Sequence, residues 1–302
     1  MDARPGRRAS SPPPRQPAVA VAVAAAVAAG RSLRSGVYRR TARVHWAAVR
    51  AAALLHHVLE FCYPGACASC GSAPADGDAL LCADCATKLN ILAAAAACDR
   101  CAMPLAADGS PCPYCHGRGL GNAYDKIVRL CIFDDPLKRV VHRFKYQKNW
   151  ALGERLADRL CATERAKGLL TQTGVLVPVP LHFLRQFGRG FNQAEVLARR
   201  IGSRRNSHAI PVVHALRRTR NTESQTNLHS HEKRWHNVRN AFALRRCARK
   251  LRGKHVVVVD DVMTTGSTLR AVARVLRQAE PASLCAIVLA VADPKGRGFE
   301  VT

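Results

Sequence analysis

The stretch VVVVDDVMTTGST, residues 256–268, decides the fold. It begins inside KHVVVVD, residues 254–260, a continuous β-branched run that is typical of a central strand in a parallel sheet. Two acids end that run, and glycine and hydroxyl residues then open GSTLRAVARVLRQAE, residues 266–280, which we predict to be a helix. A buried strand, a tight loop and a helix in this order indicate an α/β fold.

The loop between this strand and this helix has the composition of a phosphate site. Ligands of parallel α/β sheets bind beyond the carboxyl ends of the strands, and a helix N-terminus offers N–H groups and partial positive charge. Gly266 lets the backbone approach a phosphate closely, while Asp260 and Asp261 suit sugar hydroxyls or a hard cation. The alternative is a simple capped helix, which explains one hydroxyl but not the two acids. The hydroxyls that would surround a phosphate belong to Thr264, Thr265, Ser267 and Thr268.

The C-terminal half of the chain alternates strands with helices, which predicts a parallel sheet flanked by helices. Further strands are predicted at residues 124–133, 174–180, 209–218 and 283–292. Further helices are predicted within residues 136–166 and 188–205. The polar stretch 218–234 has no periodicity and is either a mobile loop or a lid over a ligand, with Arg218 and Gln225 as its candidate contacts.

Eight of the thirteen cysteines form four Cys-x-x-Cys pairs, which indicates metal binding in a reducing compartment. Two thiolates three residues apart on a tight turn can hold one side of a tetrahedral zinc ion, and a second such turn completes the ligands. Since four thiolates leave no position for water, we expect the zinc to be structural. The first quartet is Cys67, Cys70, Cys82 and Cys85, and the second is Cys98, Cys101, Cys112 and Cys115.

Three alternatives stay open for the cysteine region. The first pair could share an ion with the third, and the pairs could instead be redox dithiols. His116 could be a ligand, although a solvated or supporting role suits a quartet that is already full. The other cysteines are predicted to be small buried apolar residues, Cys62 least well; they are Cys62, Cys131, Cys161, Cys247 and Cys285.

The 302 residues carry a formal net charge of +26. This excess favours nucleic acid, an anionic membrane or phosphorylated metabolites as partners, although a codon bias toward arginine would give the same composition. Residues 1–52 are of low complexity and predict a disordered tail or a start codon placed too far upstream. Residues 18–29 imitate a secretory signal but are too short and alanine-rich to span a membrane, and export would conflict with the thiol pairs. We therefore predict a cytoplasmic protein without a membrane span.

Residues 256–268 resemble the phosphoribosyl diphosphate motif of type I phosphoribosyltransferases. The chain from about residue 55 to residue 298 resembles one branch of these proteins, the ComF family of the ComFC/GntX type, which is linked to DNA uptake in competence. After the low-complexity tail at residues 1–52, the resemblance implies a double zinc ribbon at residues 55–121 and a phosphoribosyltransferase-like domain at residues 124–302. Besides the cysteine ribbons, it rests on HRFKYQKN (142–149), VPVPLH (177–182), RQFGRGFNQAEVLA (185–198), RRTRNTESQTNL (217–228) and RWHNVRNAFAL (234–244).

The resemblance also implies roles for individual residues. Asp260 and Asp261 would contact the ribose hydroxyls and act in catalysis, and the loop at residues 264–268 would hold the 5′-phosphate. Arg185 and Arg189 would face the diphosphate, where the planar guanidinium binds phosphate oxygens in two places. Lys145 could also reach a phosphate, although a lysine that extends from an amphipathic helix into solvent is the alternative.

Two hypotheses follow from these patterns. In the first, the chain binds phosphoribosyl diphosphate with Mg²⁺ and transfers the ribosyl group to a nucleophile, while electrostatic contacts stabilise the leaving diphosphate. In the second, the same fold senses this ligand without catalysis, and basic zinc ribbons bind single-stranded DNA or a DNA-uptake protein. The ribbons contain few aromatic residues for base stacking, which weakens the second hypothesis. Neither hypothesis names the acceptor, for which the sequence has no signature.

Overall fold

The computed structural model describes residues 66–73, 80–105, 110–115, 120–147, 149–181, 191–203, 209–219 and 240–292. The chain divides after Pro64, and every described residue belongs to the unit Gly65–Thr302. The elements in chain order are α1 (Ala83–Ala94), β1 (Lys126–Ile132), α2 (Leu137–Tyr146), α3 (Trp150–Ala162), α4 (Glu164–Thr171), β2 (Val175–Pro178), α5 (Gln193–Ser203), β3 (Leu216–Arg218), β4 (Phe242–Leu244), β5 (His255–Met263), α6 (Ser267–Leu276) and β6 (Ser283–Val291). Short 3-10 helices occupy Leu120–Asn122, Arg246–Leu251 and Arg277–Ala279.

Four strands form a parallel sheet in the order β1-β6-β5-β2. Strand β5 lies between two neighbours: Val258 pairs with Ala286 of β6 on one side and with Val177 of β2 on the other. Two neighbours and a buried run of valines confirm that this segment is a central parallel strand. Strands β3 and β4 form a separate antiparallel pair.

Both faces of the parallel sheet are covered. Val257 and Val259 belong to the buried cluster that contains residues of α2, α3 and α5, whereas Val256 and Val258 belong to the cluster that contains residues of α6. This division follows from the alternation of side chains along a strand. Each fully buried valine contributes about 1.5–3 kcal/mol to burial of the core. The predicted α/β class with helices on a parallel sheet is thereby confirmed.

Two predicted strands have different bounds from those expected. Of residues 209–218, only Leu216–Arg218 form a ladder, and the earlier part touches β2 through a single bridge between Val212 and Leu176. Pro211 explains part of this, because it has no N–H to donate; its carbonyl accepts from the Leu176 N–H at 2.9 Å. Strand β5 is longer than expected and continues to Met263, which pairs with Val291 of β6.

Several expectations fall on residues outside the described ranges. They include the tail at residues 1–52, the lid candidate Gln225, His116 and Cys62. Within the described part of the chain, we find no helix with the length and apolar character needed to cross a membrane.

Candidate functional site

Asp260 and Asp261 lie within the last four residues of β5, two residues before the strand ends at Met263. The Asp261 N–H donates to Asp260 Oδ1 at 2.9 Å, and the Val262 N–H donates to Asp261 Oδ1 at 2.6 Å. Both acids are half-buried. They therefore stand at the carboxyl end of the central strand, which is where parallel sheets bind ligands.

Cations from two other elements act on this pair of acids. Lys145, on α2, places Nζ 2.8 Å from Asp261 Oδ2. Burial, followed by the charge of Asp261, raises the pKa of Asp260 to about 7, while the charges of Lys145 and Arg218 act to lower it. Arg218, on β3, stacks on the Phe242 ring with its guanidinium carbon 5.4 Å from the ring centre. Burial and the neighbouring carboxylate therefore disfavour the charged form of Asp260, and a cation bound beside the pair would favour it.

The loop after β5 turns into α6 through Gly266, whose φ is +70°. Gly266, and not a Thr or Ser, is the N-cap of α6, although the Thr265 hydroxyl accepts from the Ser267 N–H at 3.4 Å. Thr265 and Ser267 are buried, and their hydroxyl oxygens lie 2.8 Å apart. Thr264 and Thr268 are half-buried. A left-handed glycine before the helix and hydroxyls on both sides of it form a turn that can surround an anion.

The described structure groups the eight paired cysteines into two quartets, in which the sulfur atoms lie within 4.8 Å of one another. The first four cysteines form one group and the last four the other, so the interleaved arrangement is wrong. Single contacts measure 3.6 Å for Cys70–Cys82, 3.4 Å for Cys98–Cys115 and 3.5 Å for Cys101–Cys112.

These distances fit a tetrahedral metal ion. Zn–S bonds of about 2.3 Å separate the sulfurs of a tetrahedron by about 3.8 Å. Burial and the neighbouring thiols raise the pKa of Cys85 to about 12, so the four groups of the first quartet need a cation to become thiolates together. Of the cysteines outside the quartets, Cys131 and Cys285 are buried as predicted, while Cys161 and Cys247 are partly exposed.

Two family models match the chain: a phosphoribosyl transferase domain at residues 187–301 and a double zinc ribbon domain at residues 58–116. Competence protein F of Haemophilus influenzae is 33% identical over 160 residues, which cover 52% of this chain and 68% of that protein. This chain belongs to the ComF family. DNA utilization protein YhgH of Escherichia coli is 31% identical over 220 residues, covering 70% of this chain and 91% of that protein. Competence protein ComFC of Bacillus subtilis is 30% identical over 158 residues, covering 52% of this chain and 60% of that protein.

The structure of this ComF-family chain brings some of the expected site residues together. Asp260, Asp261 and Lys145 meet at the end of β5, next to the loop at residues 264–268. Arg185 and Arg189 lie outside the described residues. Asn192 is described, and it caps the start of α5: its Oδ1 accepts from the Ala194 N–H at 3.2 Å, and its Nδ2 donates to the Val179 carbonyl at 3.0 Å.

Sequence reasoning missed a cavity between α5 and β3. It has a volume of about 530 Å³, and Leu181, Phe191 and Leu216 provide apolar parts of its lining. The charged groups of its lining are Glu195, Arg199, His214, Arg217, Arg218 and Arg245. Glu195 Oε1 binds the Arg199 guanidinium, and Glu195 Oε2 lies 3.2 Å from His214 Nδ1. Arginines spread over residues 199–245 have no common spacing, so only the fold brings them to one cavity.

Proposed function

We propose that this ComF-family chain binds phosphoribosyl diphosphate with Mg²⁺ and acts as a phosphoribosyltransferase in the uptake or use of DNA. The observation that carries the proposal is the pair Asp260–Asp261 and the Gly266 turn at the carboxyl end of β5, inside the residues that match a phosphoribosyl transferase domain. The link to DNA comes from relatives named competence protein and DNA utilization protein. The zinc-type thiol quartets favour a reducing, cytoplasmic compartment.

Each part of the site has a role in this proposal. Asp260 and Asp261 accept hydrogen bonds from the ribose hydroxyls, and residues 264–268 hold the 5′-phosphate at the amino end of α6. Arg185, Arg189 and Lys145 contact the diphosphate. Mg²⁺, bound with the ligand, supplies positive charge to the diphosphate oxygens. The raised pKa of Asp260 supports this assignment, since a cation bound with the ligand would favour the carboxylate form that burial and the Asp261 charge disfavour.

The proposed reaction needs no covalent enzyme intermediate. A nucleophile forms a bond to C1 of the ribose while the bond from C1 to the diphosphate oxygen breaks, and diphosphate leaves with the electron pair. Negative charge grows on the leaving group, so cationic residues aimed at it stabilise the transition state more than the ground state. Arg217 and Arg218, which lie on β3 and line the cavity between α5 and β3, add further positive charge there.

Calorimetry with phosphoribosyl diphosphate and Mg²⁺ tests binding. We expect the wild-type chain to bind, and Asp261→Asn to bind at least about ten-fold more weakly, a loss of about 1.4 kcal/mol. Glu164→Gln, which changes an exposed carboxylate on α4, serves as the matched control and should bind as wild type. Absence of wild-type binding, or equal binding by Asp261→Asn, would contradict the proposal. Diphosphate release with a panel of nucleobases then separates a transferase from a protein that only senses the ligand.

Single-stranded DNA binding is the second candidate function, and a surface on α2 favours it more than the ribbons do. Residues 55–121 contain six acidic residues against three lysines and arginines, so the expectation of basic ribbons is wrong. By contrast, a cavity of about 410 Å³ is lined by Ser69, which lies between two cysteines of the first quartet, and by Lys138, Arg139, His142 and Arg143 of α2. Arg139 is partly neutralised by Asp135, at 2.9 Å, but the lining keeps a cationic balance.

Two exposed aromatic residues stand at the end of α2 and at the start of α3. Tyr146 and Trp150 are 56% and 58% exposed, and the rings of His142 and Tyr146 are 4.7 Å apart. Aromatic faces next to a cationic groove are the usual platform for unpaired bases. One flank of α2 contacts the first quartet, where Arg143 Nη1 donates to the Cys67 carbonyl at 3.3 Å, and the other contacts Asp261 through Lys145. A strand bound along α2 would therefore pass close to the proposed ribosyl site.

Fluorescence anisotropy with a labelled oligonucleotide tests this surface. We expect Trp150→Ala and Tyr146→Ala each to weaken binding about ten-fold, and binding to weaken as salt rises. Ile91→Ala is the control, because Ile91 is also an exposed apolar residue, at 45%, but lies on α1. Equal losses of affinity in all three variants, or an affinity that does not change with salt concentration, would contradict α2 as the DNA-binding surface.

A further inference from the structure

The phosphate loop packs against the segment that follows the second cysteine quartet. Leu120 is 3% exposed and begins the 3-10 helix Leu120–Asn122. Its side chain lies directly against Gly266, so that a β-carbon added at Gly266 would collide with it. Gly266 is thus required twice, once for its positive φ and once for the close approach of Leu120.

A second contact joins the same segment to α6. The Tyr124 side chain is buried, and its hydroxyl donates to the Leu269 carbonyl, in the first turn of the helix, at 2.8 Å. Burial, and then the nearby charge of Asp260, raise the pKa of Tyr124 well above its usual value, so the phenol keeps the proton it donates. Leu120 and Tyr124 therefore touch the turn and the helix that would bind the 5′-phosphate.

Strand β1, which follows this segment, is tied to the turns of the second quartet by hydrogen bonds. Arg129, on β1, is 6% exposed and donates to the Ala102 carbonyl at 2.8 Å and to the Ala95 carbonyl at 3.0 Å. The Ile127 N–H donates to the Arg100 carbonyl at 2.7 Å. These carbonyls belong to the turns before and around the first pair of this quartet.

Apolar packing completes the connection between the quartet and the phosphate loop. Cys98 and Cys101 belong to one buried cluster together with Leu120, Tyr124 and Leu269. The cysteine turns and the residues next to the loop are thus parts of one close-packed core, through which a change in the turns can reach the loop.

We propose that Leu120 is a positioning residue, through which the closed second quartet keeps residues 264–268 in the conformation that binds phosphate. The proposal rests on the proposed function for the identity of the ligand. Loss of the Leu120 side chain leaves space against Gly266, so the turn samples other conformations and its N–H groups no longer converge. Contacts to the diphosphate, which we assign to Lys145, Arg185 and Arg189, are not affected.

Leu120→Ala tests this proposal, with Leu89→Ala as its matched control. Leu89 is a buried leucine of α1 that belongs to the other cluster, with the first quartet. Amide hydrogen exchange at residues 264–270, measured without ligand, should be faster in Leu120→Ala and unchanged in Leu89→Ala. Affinity for phosphoribosyl diphosphate should fall about ten- to a hundred-fold in Leu120→Ala, while affinity for inorganic diphosphate stays as in wild type. Leu120→Met, which refills the space, should restore both measurements.

The outcomes separate this inference from the proposed function. Wild-type exchange and wild-type ligand affinity in Leu120→Ala overturn the inference and leave the proposed function intact. Faster exchange in Leu120→Ala, combined with no ligand binding by wild type, supports the role of Leu120 in holding the loop and contradicts the proposed function. Should Leu120→Ala lose zinc, Leu120→Val and Leu120→Met replace it: exchange must be faster in the smaller variant, and equal rates overturn the inference.

Discussion

Lys145 Nζ and Asp261 Oδ2 lie 2.8 Å apart, and this ion pair joins α2 to the end of β5. The two side chains are 19% and 15% exposed, so solvent screens the pair only in part. Asp261 thereby has a cation beside it, while its neighbour Asp260 has a raised pKa from burial and from the Asp261 charge. The ion pair and the raised pKa of Asp260 each lead to one of the predictions below.

Lys145→Met removes the ammonium but keeps most of the side-chain length. We expect its affinity for phosphoribosyl diphosphate with Mg²⁺ to fall about ten-fold, because a cation at this position balances diphosphate charge. Calorimetry measures the change, with Lys167→Met as the control, since Lys167 forms an exposed pair with Glu164. Tighter binding by Lys145→Met would instead mean that the lysine competes with the ligand for Asp261.

Asp260 should make stability depend on pH. Its pKa is about 7 in the folded chain against 3.8 for the free group, so the folded state holds this proton more tightly than the unfolded state. Stability from this group is therefore present at low pH and is lost as pH rises from about 4 to about 7. Asp260→Asn lacks this loss and should exceed wild type in Tm by a margin that grows from about pH 4 to about pH 7 and then levels off, by about 2–4 °C per kcal/mol. Thermal melts in magnesium-free buffer check this; a constant margin would contradict it.

The second cysteine quartet should bind one zinc ion on its own. We expect metal analysis of wild type to find two zinc ions per chain and that of Cys101→Ser to find one, because three thiolates and a hydroxyl close the site poorly. Cys161→Ser, at a partly exposed cysteine outside the quartets, should keep both ions. Full zinc content in Cys101→Ser would rule out this ligand assignment.

Arg129 should contribute to stability through its two buried contacts. Burial lowers its pKa to about 10, so it stays charged at neutral pH and donates to the Ala95 and Ala102 carbonyls. Arg129→Met leaves both carbonyls without this donor and should lower the free energy of unfolding by about 3 kcal/mol in urea. Arg139→Met, which breaks an exposed pair with Asp135, should cost less than about 1 kcal/mol. Similar losses in both variants would show that Arg129 does not join the ribbon to the sheet.

Much of the fold follows from local patterns in the sequence. The valine run before Asp260 predicts a central strand because only a strand covered on both faces buries every side chain, and β5 has this position. The close spacing of the cysteine pairs likewise predicts two quartets, although only the structure excludes the interleaved arrangement. Residues 209–218 have the composition of a strand, but Pro211 interrupts it. The change of partner from β2 to β4 depends on contacts between residues far apart in the sequence, which local patterns do not show.

The candidate site was predictable where one motif contains it and not where the fold assembles it. Asp260, Asp261 and Gly266 stand within one short run, so their proximity is evident from the sequence. Leu120 and Gly266 are separated by 146 positions, and no periodicity connects them. The only available signal was the ending of the cysteine region at about residue 121, just before β1. Arg129 is a comparable case, since an arginine within a strand is expected to face solvent until its carbonyl partners are known.

A crystal structure of the chain with phosphoribosyl diphosphate and Mg²⁺ tests the central claim most directly. The account predicts ribose hydroxyls within hydrogen-bond distance of Asp260 and Asp261, and the 5′-phosphate against the N–H groups of residues 264–268. A ligand bound elsewhere, or one whose ribose lies away from both acids, would contradict it.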